Sequence, residues 1–395
     1  MTYHGKILGT LATTGLLLAL APQAAHALEA SEVADQVRST FIAQGFTPSW
    51  TGVEGTSSRM TLKNVTIAVA GESETLPLGD IEISDATQDG DTIVVGTMSM
   101  PRFVYAAEGV NLNIQNMSVS GLRLTPEESD DELAGIAFYE AARMDSLVAM
   151  MDGSELVSMR DVTMSATRPD GDRPMNFSGL ARSIVIDLGA VEDPQAAMAT
   201  QALGFDKING SFTLTGTWSP QDGRLAIEKY DISVEEAGTL GFTFDISGYT
   251  PAFLKALREV QARMAEASEE EQAMQGMAML GLMQQLNLHG AKLRFDDNTL
   301  TQKVLAFVAA QQGAQPADIA NQAKAILPFA MMQLNNPQLT AEVSAAVNAF
   351  LDNPESLEIS IEPENPIPFA LVAAGAMTAP QALPQQLGLR VRANR

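Results

Sequence analysis

Apolar and polar residues alternate along much of this chain up to about residue 250, and that alternation restricts the fold more than any other feature. Runs of period two cover residues 53–124, and Gly, Asp or Asn interrupts them at the roughly 8–12-residue spacing of hairpin turns. The run over residues 60–69 changes phase at Lys63–Asn64, where we predict a β-bulge or a break. Similar segments return at residues 175–188, 208–218, 224–234 and 238–248. The pattern predicts curved antiparallel sheet units with one apolar and one wet face.

Part of this β-rich region resembles another part of it. Residues 60–67 (MTLKNVTI) align without gaps on residues 157–164 (VSMRDVTM). The alignment indicates a duplication of two β units. We predict that a helix over residues 126–151 joins them, because acidic residues crowd its first turns and an apolar stripe follows. The same acidic cluster lacks the spacing of a calcium-binding loop and is interpreted as a solvated helix start.

Helical periodicity marks the two ends of the chain. Apolar spacing predicts a short amphipathic helix over residues 30–44. Thr250 as N-cap and Pro251 at the first helical position open a long helix that an acidic stretch interrupts at residues 268–272. Further helices are predicted around residues 300–312, 317–333 and 340–352, with strands at residues 286–296, 356–362 and 386–393. The sequence therefore predicts an α+β fold with a C-terminal helical cover.

We divide the chain into four parts. Residues 1–27 are a signal peptide, residues 28–151 a first β-rich unit, residues 152–250 a second, and residues 251–395 a helix-rich region with returning strands.

The N-terminal segment has the features of a secretory signal. Lys6 precedes an uncharged run over residues 7–20, and Ala25-His26-Ala27 forms a cleavage site of small residues. The alternative is an uncleaved anchor, but the run is shorter than the roughly 20 residues that span a bilayer. We expect cleavage before Leu28, a periplasmic product and no membrane span in the mature chain.

Composition excludes several classes of function. The chain has 24 Lys and Arg against 48 Asp and Glu, a formal net charge of −24, so nucleic acid is not an expected partner. It has no Cys and three His, of which His4 and His26 belong to the signal. His289 alone is too little for a Cys/His metal site, and it is interpreted as a turn residue. The usual nucleophile and nucleotide-binding motifs are absent from the sequence, so we expect no enzyme, cofactor or metal site.

The C-terminal quarter contains a charge-free segment, residues 365–389. Four prolines prevent it from spanning a membrane as a helix, so it either packs in the core or lines an apolar groove. Methionines in the preceding helices favour a groove that adapts to its ligand. The candidate groove residues are Met274, Met277, Met283, Met331, Phe369 and Leu371.

Two stretches also resemble known proteins. The segment GTLGFTFDISGYTPAFLKALREV and the C-terminal stretch from FLDNPESLEIS to GLRVRAN resemble uncharacterised secreted proteins of alphaproteobacteria. The strand texture is similar to that of the AsmA-like and YdgA-like envelope proteins, and this resemblance implies a β-rich body that handles lipids or supports the outer membrane. Those families generally keep an N-terminal membrane anchor, and the cleavable signal expected here departs from that pattern.

Three functions follow from the sequence. The first is a non-enzymatic periplasmic envelope protein that binds an apolar ligand, a lipid, on the inner face of its sheet. The second is a structural or adaptor protein that engages an envelope partner through a sheet edge. The third is a hydrolase that uses carboxylates.

Overall fold

The computed structural model describes residues 28–69, 75–107, 109–131, 133–134, 136–190, 200–266, 269–332 and 335–395. The predicted signal peptide, residues 1–27, lies outside the described residues. The described strands are β1 (Phe46–Ser49), β2 (Gly52–Thr56), β3 (Arg59–Val69), β4 (Thr75–Asp89), β5 (Thr92–Ala107), β6 (Val110–Leu124), β7 (Ala141–Met151), β8 (Ser154–Ala166), β9 (Met175–Asp187), β10 (Lys207–Ser219), β11 (Arg224–Val234), β12 (Gly238–Ser247), β13 (Asn287–Asp297), β14 (Ser356–Ile361), β15 (Ile367–Pro368) and β16 (Leu389–Ala393). The described helices are α1 (Ala30–Ala43), α2 (Pro251–Glu266), α3 (Glu269–Met283), α4 (Leu300–Gln312), α5 (Pro316–Met331), α6 (Pro337–Asp352), α7 (Phe369–Thr378) and α8 (Leu383–Gln386).

The strands form one open 16-stranded sheet in which every neighbouring pair is antiparallel. From β3 to β14 the strands follow one another in chain order, with β1 and β2 both paired to β3 and β16 at the opposite end. The predicted α+β fold with an antiparallel sheet is confirmed. The sheet continues without interruption through residues 151/152 and 250/251, where the sequence suggested boundaries.

Pairs of consecutive polar residues, which we call polar doublets, interrupt the alternation inside many strands. Several of these doublets are β-bulges. Asn64, Asn116 and Asp161 lie within strands and have left-handed backbones, with φ of 50°, 52° and 52°. The register of β3 with β4 shifts between Leu62 and Val65, as the phase change in the sequence predicted. Because one extra residue reverses the side-chain phase, each doublet keeps the apolar residues on both sides of it on the same face.

The prediction of a helix over residues 126–151 is wrong. The described residues before it, 126–131, 133–134 and 136–140, form no helix, and Ala141–Met151 is strand β7. Leu133 and Phe138 of this stretch are buried with Trp218, and the Asp131 carboxylate accepts the Leu133 amide at 2.9 Å. The apolar residues of β7 alternate in two runs around the doublet Asp145–Ser146, a spacing that resembles a helical stripe. Pairing with β6 and β8 decides in favour of the strand.

Helices pack against the sheet at both of its ends. Val33, Ala34 and Val37 of α1 are buried against β3–β6, including Met60 and Ile83. At the other end α6 contacts β14 and β16, and Phe350 packs edge-on against Phe295 of β13 with ring centroids 6.4 Å apart. The other predicted helices are also confirmed, with the long C-terminal one divided into α2 and α3. None of the described helices is long and apolar enough to cross a membrane.

Candidate ligand-binding face

A continuous row of apolar residues crosses the sheet from one end to the other. We call it the apolar row. It takes one residue from each of β3 to β14 and one from β16, and each residue is the direct register partner of the next. In order it contains Met60, Ile83, Met98, Val119, Ala142, Met164, Gly179, Leu214, Tyr230, Phe242, Leu293, Ile359 and Val391. At about 4.8 Å per strand the row is about 60 Å long.

The adjacent register row lies on the opposite face and has the opposite character. It contains Thr61, Glu82, Ser99, Ser118, Arg143, Thr163, Leu180, Thr213, Asp231, Gly241, Arg294, Glu358 and Arg392. Only Leu180 and Gly241 in this row are not polar. Arg294 and Glu358 are also joined by an ion pair, with 3.6 Å between Nη1 and Oε2. One face of the sheet is therefore wet and the other apolar over its whole length.

Ion pairs add to the polarity of this second face. Lys63 of β3 hydrogen-bonds to Asp80 of β4, and this bond lowers the pKa of the Asp80 carboxyl from its ordinary value. The amide of Asn64 also donates to Asp80, at 2.9 Å. The ion pair and this hydrogen bond therefore stabilise the bulge at Lys63–Asn64 from the polar face of the sheet.

The middle of the apolar face is not covered. Ile83 beneath α1 is 0% exposed, whereas Leu293 on the same row is 44% exposed. Tyr230, Ile232 and Leu240 are 36–43% exposed. A soluble sheet normally buries its apolar face against another layer, so this surface is available to a ligand or partner.

An aromatic ladder continues the open face toward the C-terminal helices. Phe212, Tyr230 and Phe242 make edge-on contacts with ring centroids 5.0 and 6.4 Å apart. Phe242 stacks on Phe244 at 5.9 Å, and Phe244 meets Phe369 of α7 at 6.5 Å. These contacts form an apolar path from β10 to the first residue of α7.

Cavities lie at both ends of the sheet. Beneath α1 a cavity of about 350 Å³ is lined almost wholly by apolar side chains, among them Phe41, Ile67 and Ile114. Between α6, α7 and β16 an open cleft of about 1040 Å³ carries both charges, with Arg390 Nη1 3.8 Å from Glu342 Oε2. The first offers only hydrophobic contact, and the second adds polar groups.

The predicted groove residues do not come together as one site. Met283 and Phe369 pack on the same cluster around Phe253 and Leu286. Met274 and Met277 on α3 are 64% and 74% exposed. Leu371 lines the C-terminal cleft.

Met331 is half-buried at the end of α5, in a helical layer with α4 and α6. The charge-free segment 365–389 contributes no buried residue through α7 or α8. Within these two helices, core packing, the first of the two sequence alternatives, is represented by Phe369, which packs on the cluster around Phe253 and Leu286.

His289 lies inside β13 and is half-buried, so its interpretation as a turn residue is wrong. Its Nε2 lies 2.9 Å from the hydroxyl of Ser247 on β12. The carboxylate of neighbouring Asp245 accepts two hydrogen bonds from Arg224, at 2.9 and 2.6 Å. Within the described residues, no group of three or more acidic or imidazole side chains is placed to hold a metal ion.

Sequence reasoning identified the apolar strand residues but missed the row that they form. The available signal was the polar doublets, such as Gln115–Asn116 and Arg160–Asp161, which divide strands at equivalent points. Aligning the strands on these doublets would have placed the apolar residues opposite one another.

The fold and this face define the class: an α+β protein built on a long open antiparallel meander whose apolar face is partly uncovered. A family model described as an uncharacterized protein is similar to residues 231–394, the part from β11 to β16. The comparison with curated proteins gives no match.

Proposed function

We propose that this protein binds the hydrocarbon part of lipids along the apolar row and acts without catalysis. The observation that carries the proposal is the uncovered apolar face between the α1 end and the α6 end of the sheet. Its side chains are aliphatic, thioether or aromatic, and each unit of apolar area removed from water contributes about 25 cal/mol per Å².

The dimensions of the face favour a chain-like ligand. The part of the row between its two covered ends, from Ala142 of β7 to Ile359 of β14, is about 34 Å long at the usual strand spacing, close to the roughly 30 Å hydrocarbon core of a bilayer. A compact small molecule would cover only a fraction of it. The charged cleft beside β16 supplies polar groups of the kind that a lipid headgroup requires, next to Val391 at the end of the row.

The finer features of the expected architecture belong to the same proposal. We infer a curved sheet, because bulges bend and twist strands, with the C-terminal helices as a cover over its last strands. Asn64 and Asp161 occupy equivalent positions of the aligned stretches and share a left-handed backbone, which supports a duplication. The signal-like residues 1–27 support export to the periplasm, and the texture resemblance to AsmA-like proteins supports a role in the cell envelope.

The alternative of an adaptor that pairs through a sheet edge has less support. At one end of the sheet the Val391 amide already donates to the Glu342 carboxylate at 3.0 Å. At the other end the edge is divided between β1 and β2, and β1 contains Pro48. Short edges, proline and capped amides all discourage strand addition.

The test is lipid content in a matched pair of variants. Leu293→Glu places a carboxylate on the open face at a site that is exposed enough for the chain to fold. Thr243→Glu places the same group on the opposite face, opposite Lys292. We expect lipid to co-purify with the wild type and with Thr243→Glu, and to fall at least about tenfold in Leu293→Glu, because a charge in an apolar site is costly.

Native mass spectrometry and organic extraction measure the bound lipid, and melting curves show whether both variants fold. Equal lipid in the two folded variants, or none in the wild type, would overturn the proposal.

A further inference from the structure

Two contacting helices, α3 and α7, expose a set of large apolar side chains. We call this set the α3–α7 patch; it contains Met274, Met277, Leu280, Leu371 and Met377. Their exposed fractions run from 57% for Leu280 to 87% for Met377. These values are well above those on the open face of the sheet.

Helix α7 is unusual for a helix in water. Its ten residues, FALVAAGAMT, include no charged residue, and none of them is buried. A helix that is apolar on every side is normally buried in a protein core or in a membrane. Because no protein layer among the described residues buries α7, an outside apolar phase is the partner that its composition fits.

We propose that the α3–α7 patch inserts into the surface of a phospholipid bilayer, and this inference rests on the lipid-binding function proposed above. Methionine, leucine and alanine side chains have no fixed shape to match and suit a fluid partner. Helix α7 also connects the patch to the proposed lipid-binding face, because Phe369 at its start contacts Phe244, which stacks on Phe242 of the apolar row. Docking here would place the membrane beside the path that leads to the row.

The charge distribution of the protein indicates which kind of membrane the patch would bind. Residues 365–389 carry no charge, whereas the chain as a whole has a formal net charge of −24. An anionic bilayer would repel the protein over a Debye length of about 10 Å at 0.1 M salt. The patch therefore fits a zwitterionic surface, and we expect phosphatidylglycerol to weaken binding at low salt.

The experiment is flotation of the full-length protein with phosphatidylcholine vesicles. We expect the wild type to float with the vesicles, and the double variant Met277→Glu/Met377→Glu to show at least a roughly tenfold lower bound fraction, since carboxylates resist insertion. The matched control is Met332→Glu at the end of α5. It replaces another exposed methionine, 63% exposed, that lies outside the patch. This control should float like the wild type.

The same variants separate this proposal from the proposed function. Because Met277 and Met377 are exposed and outside the apolar row, the double variant should keep its co-purifying lipid while losing flotation. Wild type without lipid but with patch-dependent flotation would reject the proposed function alone. The docking proposal would be overturned if the wild type does not float or if the double variant floats normally. It would also be overturned if sedimentation shows a concentration-dependent dimer of the wild type that the double variant has lost, because the patch would then bind a second copy of the chain.

Discussion

Ile83 and Leu293 belong to the same apolar row, yet their surroundings differ completely. Ile83 is 0% exposed beneath α1, and Leu293 is 44% exposed. We expect Ile83→Ala to lower the free energy of unfolding by about 2–5 kcal/mol, because it removes buried methyl groups and leaves a cavity. Leu293→Ala should cost less than about 1 kcal/mol in the lipid-free protein. Denaturant titration of both variants measures the difference, and equal costs would show that the middle of the face is packed like a core.

At the scale of elements, helix α2 is capped by a single hydroxyl at its start. The side chain of Thr250 accepts the backbone N–H of Phe253 at 3.1 Å, and Phe253 is buried in the cluster shared with α3 and α7. Replacing the hydroxyl leaves that amide without its partner, so Thr250→Ala should destabilise the protein by about 1 kcal/mol. Thermal unfolding measures the effect. Thr250→Ser retains the acceptor and is the control; a Thr250→Ala variant as stable as the wild type would show that the cap is not needed.

At the scale of the whole molecule, the proposed binding of lipid to the uncovered face would make the stability of the protein depend on the ligand. A ligand that binds only the folded state stabilises it by about 2.7 kcal/mol at a free concentration one hundred times its Kd. We therefore expect delipidated protein to bind a hydrophobic dye strongly, and added phospholipid to displace the dye and raise the Tm. Fluorescence titration and calorimetry measure both effects.

The variant Leu293→Glu should show the smaller rise in Tm and Thr243→Glu the full rise. A delipidated wild type that binds no dye, or whose Tm is indifferent to lipid, would mean that the face closes on itself.

The sequence by itself determined the local structure of most of this protein. Alternation identified the strands, the phase change at Lys63–Asn64 identified a bulge, and Thr250–Pro251 identified the start of α2. These features depend on a few neighbouring residues, so they are visible in the sequence. One exception is residues 141–151, where two short alternating runs around a doublet resemble a helical stripe and only pairing with β6 and β8 decides between helix and strand.

The tertiary structure alone decided which of the apolar residues are buried in a core and which lie on the surface. Which residues stand opposite one another depends on the register of the whole meander, so the apolar row from Met60 to Val391 cannot be seen in any one strand. Whether a residue on that row is core or surface depends on which helix returns to it: α1 returns to Ile83, and no described helix buries Leu293. The same holds for Met277 and Met377, whose exposure follows from where α3 and α7 dock. Periodicity is a local property of the chain, whereas coverage of a face is a property of distant segments that meet.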